Sequence, residues 1–410
     1  MNVLALGGSG DMGRMAVAVL LDSPSVSSIT VGDINYELAN TFVEMVGSSK
    51  LKAVQIDITE KDKLLDLMAS HDIIINTIGP FYKFEVPIIE AVIEAKKPFL
   101  DICDDWKPSL DALEFDQKAK DAGITALIGI GASPGITNIL AVQACSKLDE
   151  IEEVITAWGI AAEIKTGRKP KYFVRPAKLA KKLGKIERKP NAAAMHLLYE
   201  TIEKVPTFKN GEMVEIEPLT ETDPFDFPGY KSMYAVNIGH PEPVTLPRTI
   251  KAKNISNVMY IGKTATDITH NYSQKIKNKE LTIEEATLAL SVEWRELNKK
   301  VFQDQNLVNE YIGGPPTLSV IATGRTKDGN RKKIGVALAR EPFGAMAGVT
   351  SVPLSIATIM VIEGKINKKG ILTPEEAFKD NPMDLFNGIA PYCGKNLTGK
   401  DILIEREEEL

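Results

Sequence analysis

The first 33 residues constrain the fold more than any other stretch. Asn2-Val3-Leu4-Ala5-Leu6 is an uncharged apolar run, long enough for a buried parallel strand. It leads directly into Gly7-Gly8-Ser9-Gly10-Asp11-Met12-Gly13, where Gly8, Gly10 and Gly13 fill a G-x-G-x-x-G frame around Ser9, Asp11 and Met12. Met12 to Leu21 then reads as an apolar helix. Ile29 to Gly32 reads as a second strand ending on Asp33, twenty positions past Gly13. Each part of this spacing has a use. The first glycine makes a tight turn, the second lets backbone approach a pyrophosphate, and the third lets helix sit close on strand. The helix N-terminus offers free N–H groups to the phosphates. An acid closing the second strand is placed for a ribose 2′-hydroxyl. The frame predicts a dinucleotide-binding unit; the alternative is a glycine-rich turn in another α/β domain.

The pattern continues for about a hundred residues. Predicted helices cover Tyr36–Val46, Lys61–Ala69 (with Thr59 as N-cap), Val86–Ala95 and Ala112–Ala122. Between them lie the strand Ala53–Ile56 running to Asp57, the strand Asp72–Thr77 broken at Gly79-Pro80-Phe81, the strand Phe99–Ile102, and the strand Thr125–Ile130. Six strands alternating with helices predict a doubly wound parallel sheet, the Rossmann arrangement. Ligands bind beyond the C-terminal strand ends of such sheets. Here those ends carry Gly8–Gly13, Asp33, Asp57, Asn76–Phe81, Asp101 and Gly131–Gly135.

Beyond about residue 150, strand-like runs gather: Val154–Ile164, Met213–Ile216, Met233–Ile238, Arg248–Lys253 and Asn257–Ile261. A hairpin is predicted around Lys327-Asp328-Gly329-Asn330, and a long helix Ile283–Phe302 from a Thr282/Glu285 capping box. This predicts an α+β second domain with a largely antiparallel sheet. The acidic tail Glu405–Leu410 reads as a frayed end. The 410-residue length calls for two or three domains. The net charge of −6 argues against nucleic acid as the main partner. No apolar run is long enough for a bilayer, and no signal peptide is expected, since the sequence opens straight into a core strand. Cys103, Cys145 and Cys393 are few and scattered, which fits a reducing cytoplasm. No metal-ligand spacing exists, so no bound metal is expected.

Several pieces together resemble the saccharopine dehydrogenase-like family, which includes saccharopine reductases, lysine 6-dehydrogenases and carboxynorspermidine dehydrogenases. They are Gly7–Gly13, Asp72–Phe81 (DIIINTIGPF), Pro98–Asp104 (PFLDICD) and Gly129–Leu140 (GIGASPGITNIL). Gly348–Pro353 and Gly370–Glu375 are also similar to that family. The resemblance implies a nucleotide domain over 1–135 and a substrate and dimerisation domain over 136–345. Helices over 346–410 would return to the nucleotide domain. It also implies a homodimer, and carries over Thr77, Gly79, Pro80 and Phe81 as cofactor-side residues, although Phe81 also suits a core. Ser133, Pro134, Gly135 and Asn138 would line the cleft between domains, where a helix N-terminus can accept a substrate carboxylate. Asp101 and Asp104 are candidates to hold an amine or relay a proton, or else they cap the next helix.

Where the family often has glycine after its G-P-F element this chain has Glu85, and Met259 replaces a common arginine. Arg248 and Arg340 remain as carboxylate-clamp candidates, with structural roles as the alternative. His240 is the one histidine to test as a proton donor. Asp33 would repel a 2′-phosphate, and Ile34 stands where an arginine would welcome one. NAD is therefore expected over NADP. Lys165–Lys189 carries eleven basic residues against Glu187 alone: either a solvated insertion paired with acidic surface, or an arm that attracts an anionic substrate. The expected activity is NAD(P)-dependent hydride transfer at a CH–NH or C=N bond of an amino-acid-derived, carboxylate-bearing small molecule. The rivals are reduction of a C=O or C=C bond, and a non-catalytic dinucleotide-binding regulatory protein.

Overall fold

The computed structural model describes residues 1–160, 165–184, 192–301 and 303–410. The chain forms two compact units. The first comprises Met1–Ile136, Thr166–Glu187 and Arg340–Ile402; the second comprises Thr137–Lys165, Arg188–Ala339 and Leu403–Leu410.

The first unit begins β1 (Asn2–Leu6), α1 (Asp11–Leu20), β2 (Ser28–Asp33), α2 (Tyr36–Val46), β3 (Leu51–Gln55) and α3 (Lys61–Ala69). It continues β4 (Ile73–Asn76), α4 (Phe81–Ala95), β5 (Phe99–Asp101), α5 (Trp106–Leu113), α6 (Asp116–Ala122) and β6 (Thr125–Leu127). All strands run parallel, in the order β6-β5-β4-β1-β2-β3. A seventh strand, Gly370–Leu372, pairs outside β6. Val3 to Leu6 and Ile73 to Ile75 are at most 1% exposed, as a sheet covered on both faces requires. Leu4, Leu6, Ile74, Ile88, Val92 and Phe99 belong to one core cluster on this sheet. Helix Met346–Ile362 packs on α1 through small residues, with Ser351 Oγ donating to Met12 O (2.8 Å) and Ser355 Oγ to Ala16 O (3.2 Å).

Three local expectations are corrected here. Helix α4 starts at Phe81, not Val86, because Pro80 occupies its N-cap and Asp105 accepts the Tyr82 N–H of its first turn at 2.7 Å. The predicted helix 112–122 is two helices, broken at Glu114-Phe115; Asp116 Oδ1 accepts Ile371 N–H at 3.0 Å. Thr59 does not cap α3: its hydroxyl donates to Asp57 at 2.7 Å, and Glu60 is the N-cap residue.

In the second unit one eight-stranded sheet runs Glu212–Ile216, Val205–Lys209, Ala252–Tyr260, Glu150–Gly159, Leu318–Arg325, Arg331–Leu338 and Leu403–Glu409. Val236–Asn237 pairs beside Ala252–Tyr260. The pairings are antiparallel except Ala252–Tyr260 with Glu150–Gly159. Phe225 stacks on Tyr260 at 5.3 Å within its core. The capping box of helix Ile283–Val301 forms, Thr282 Oγ1 accepting Glu285 N–H and Glu285 accepting Thr282 N–H. The strand predicted at Arg248–Lys253 is instead a 3-10 turn, Leu246–Arg248, with a strand from Ala252. The tail is no frayed end. Glu405, Glu407 and Glu408 meet Lys147, Lys332 and Lys333, distant in sequence, which lets an acidic strand close the sheet. Residues 161–164, Phe302, and Lys185, Glu187, Arg188 and Lys189 of the basic stretch lie outside the described residues. Among the described residues no helix is long and apolar enough to cross a membrane.

Candidate cofactor and active site

The glycine frame does what its spacing requires. Gly7 sits at φ +70°, and its carbonyl accepts Gly10 N–H at 2.9 Å. A Cβ on Gly13 would lie 2.3 Å from Gly7 O, closer than atoms tolerate. Gly10 is the N-cap of α1 with no side chain over it, so the first N–H groups of the helix are left for an anion. Arg14 is 5% exposed and reaches back to Ser9 O and to Asp11, bracing the loop and neutralising the one acid in the first turn. Burial pulls the Arg14 guanidinium below its ordinary pKa, and the carboxylates of Asp11 and Asp33 oppose that pull.

At the ribose end, Asp33 closes β2. Its Oδ2 accepts from Ser9 Oγ at 2.5 Å and its Oδ1 from Asn35 N–H at 3.0 Å. The carboxylate is thus held in place at the edge of the glycine loop. Asp57 follows β3 and is engaged in its own turn with Thr59.

At the other end, Thr77 Oγ1 donates to Leu6 O and Gly7 O (both 3.1 Å), pinning the β4 turn to the glycine loop. The cis Gly79–Pro80 bond leads into α4, whose first residue, Phe81, is 8% exposed. Asp101 is fully buried: its Oδ1 accepts Cys103 N–H (2.8 Å) and Gly129 N–H (2.7 Å), so it braces two loops. Asp104 is partly exposed and is the acid of this turn with surface to offer. The Cys103 thiol is pushed well up by burial, then by the carboxylates of Glu85, Asp101 and Asp105, and stays protonated. Ser133, Pro134 and Gly135 form a compact turn after β6, with Gly135 at φ +119° and its Cβ position filled by Gly131.

These residues all lie in the first unit, at the C-terminal ends of its strands. Arg340, in the same unit, lies instead near Cys393 and Asp401. Asn138, His240 and Arg248 belong to the second unit. There Asn138 Nδ2 donates to Thr245 Oγ1 at 3.2 Å, and Arg248 is exposed. His240 is 4% exposed, its Nδ1 3.2 Å from Glu242 Oε2 and its Nε2 3.3 Å from His196 Nε2. Two participants were not among the sequence candidates. Arg14 falls one turn after Asp11, the spacing of a helical ion pair. Glu85 stood out only as a charge where relatives carry glycine.

The residues present fit a dinucleotide. Bare backbone stands where a Cβ would clash, helix N–H groups are uncapped, and a fixed carboxylate ends the second strand. The family model "Saccharopine dehydrogenase NADP binding domain" matches residues 3–127, and "Saccharopine dehydrogenase C-terminal domain" matches residues 131–388. Carboxynorspermidine synthase of Vibrio cholerae is 23% identical, covering 93% of each chain. Carboxyaminopropylagmatine dehydrogenase of Synechocystis is 22% identical over 92% of each. The apo saccharopine dehydrogenase (L-Glu forming) structure from Saccharomyces cerevisiae superimposes with a TM-score of 0.62, covering 100% of this chain and 99% of that one at 16% identity, a likeness of fold. With both family models matched in order along one chain, and a dinucleotide cradle built at the strand ends, this protein belongs to the saccharopine dehydrogenase family and is an NAD(P)-binding oxidoreductase.

Proposed function

We propose that the protein transfers hydride at a CH–NH or C=N bond of an amino-acid-derived, carboxylate-bearing substrate, with NAD(H) preferred over NADP(H). The observation that carries the cofactor half is Asp33, fixed by Ser9 and Asn35 at the end of β2. Its charge would oppose a 2′-phosphate and accept from a ribose hydroxyl. The substrate half rests on the names of relatives that match over nearly the whole chain, a carboxynorspermidine synthase and a carboxyaminopropylagmatine dehydrogenase. When bound, the nicotinamide supplies the hydride or accepts it. The chain's own residues do the rest. Gly8–Gly13 and the α1 N-terminus hold the pyrophosphate, and Thr77, Gly79, Pro80 and Phe81 form the wall near the ring. Asp104 meets the substrate amine, while Asp101 positions the loops around it. Ser133–Gly135 offers backbone to the substrate, and the second unit, with Asn138, His240 and Arg248, is read as the substrate and dimerisation domain. The three buried thiols form no disulfide, which supports a reducing cytoplasm, and a homodimer follows from the family likeness.

Titration of the purified protein with NADH and NADPH, read by nicotinamide fluorescence, tests this first. NADH is expected to bind more tightly, and Asp33→Asn to narrow the preference about tenfold, the factor given by ~1.4 kcal/mol of lost repulsion. NADH oxidation should then appear with imines formed from an amino-acid aldehyde and an amine. Turnover of a plain carbonyl in the absence of amine would move the reading to C=O reduction. Binding without any turnover would make the protein a regulatory binder.

A further inference from the structure

Where α4 meets the end of β5, two carboxyl groups are in hydrogen-bond contact with no exposed surface. Glu85 and Asp101 are both 0% exposed, and their side chains bond to one another. Neither Glu85 oxygen, nor Asp101 Oδ2, finds a donor elsewhere among the described residues. Asp101 Oδ1, by contrast, accepts two backbone N–H groups, from Cys103 and Gly129. Ionised carboxylates accept only, so two of them bond to each other only when one carries a proton. The backbone donors stabilise charge on Asp101, which leaves the proton on Glu85.

Among the described residues, the charges acting on this pair are acidic. The charges acting on Glu85 are those of Asp101 and Asp105, and Asp104 acts on Asp101. Cys103, on the same loop, is a protonated thiol bonded with Ser109 of α5. On α4 itself Lys83 lies over the Tyr82 ring, and the ion pair linking α3 to α4, Lys61 with Glu94, sits at the far end of the helix. An ionised Glu85 would therefore be a buried charge set against the carboxyls of Asp101 and Asp105, an expensive arrangement.

We propose that Glu85 and Asp101 hold one proton between them, and that this proton positions the nicotinamide-side wall. It ties the first turns of α4, which begin at Phe81, to the two loops that Asp101 braces through Cys103 and Gly129. The same loop is joined to α4 a second time, through Asp105 and Tyr82 N–H. Glu85 is thus a positioning residue, touching neither cofactor nor substrate. The positioning half rests on the cofactor reading above; the shared proton does not.

The test uses wild type, Glu85→Gln, which keeps a neutral donor, and Glu85→Ala. The infrared difference spectrum of wild type minus E85Q, without cofactor at pH 7, should contain the C=O stretch of a protonated carboxylic acid. Its absence overturns the shared proton, and the same band can be followed by pH titration of wild type alone if E85Q fails to fold. NADH affinity should weaken about tenfold in E85A, the size of one buried hydrogen bond, and E85Q should recover most of the loss. Wild-type affinity should fall as pH rises through the loss of the infrared band, and E85Q should not follow it. An E85Q profile identical to wild type overturns the positioning role. If none of the three proteins binds NADH, the cofactor reading and the positioning role fall together, while the infrared band still decides the proton.

Discussion

At the scale of single residues, the site depends on places where one atom more or one proton less is not tolerated. Gly13 is the clearest. With a Cβ 2.3 Å from Gly7 O and 2.6 Å from Gly8 Cα, Gly13→Ala must push α1 off the glycine loop. NADH binding is expected to be lost, with stability lowered by about 1–3 kcal/mol as for other overpacked positions, measurable by fluorescence titration and chemical denaturation. Glu85 imposes a different dependence. Burial, then Asp101 and Asp105, raise its carboxyl well above the ordinary value of 4.5. The folded chain therefore keeps a proton that the unfolded chain releases near that value. Stability contributed by this proton is fully present below the ordinary glutamate range and falls as pH rises toward the raised folded value. The slope is at most about 1.4 kcal/mol per pH unit. Glu85→Gln removes the titration, so its denaturation midpoint should overtake that of wild type as the buffer is made more alkaline.

Among the elements, those with a strong local code were legible. β1, α1 and β2 follow from an apolar run, three glycines and an acid, and the Thr282/Glu285 box sets its helix start as read. What escaped depends on partners far away in sequence. The start of α4 is fixed by Asp105, and the split between α5 and α6 lies beside Ile371, which Asp116 engages. The tail is the sharpest case, since closely spaced glutamates repel one another unless a neighbouring strand presents lysines. At the site, the cofactor frame was readable because backbone geometry demands glycine. Asp101 was legible as an acid at a strand end but not as a buried brace, because nothing local reveals that Glu85 comes to lie against it. Deleting residues 403–410 would uncover the Arg331–Leu338 edge and leave Lys332 and Lys333 without the tail's acids. The truncated protein is expected to melt lower and to scatter light on heating, as an open strand edge templates association. Added salt should lower the melting point of the full chain only slightly, because exposed ion pairs contribute about 0–1 kcal/mol each.

For the molecule as a whole, cofactor stabilises what it binds. NADH at a hundredfold excess over its Kd should add about 2.7 kcal/mol to the folded state that holds it. Trp106 lies in the first unit, whereas Trp158 and Trp294 lie in the second. A variant retaining only Trp106 should therefore report a raised melting midpoint with NADH, and an unmoved midpoint would place the cofactor elsewhere. The first unit is also assembled from pieces that leave the ribosome at very different times. Its outermost strand, Gly370–Leu372, accepts and donates the hydrogen bonds that complete β6, with Gly370 N–H given to Ile124 O and Leu372 O accepting Ile128 N–H. Everything from residue 128 to 369 is synthesised before that strand exists. At roughly 5–20 residues per second the nascent sheet waits on the order of ten to fifty seconds with its β6 edge open. The glycine loop is thus made long before the strand that closes its domain, and a growing polypeptide of this kind is a natural client for whatever shields unfinished strands at the ribosome exit.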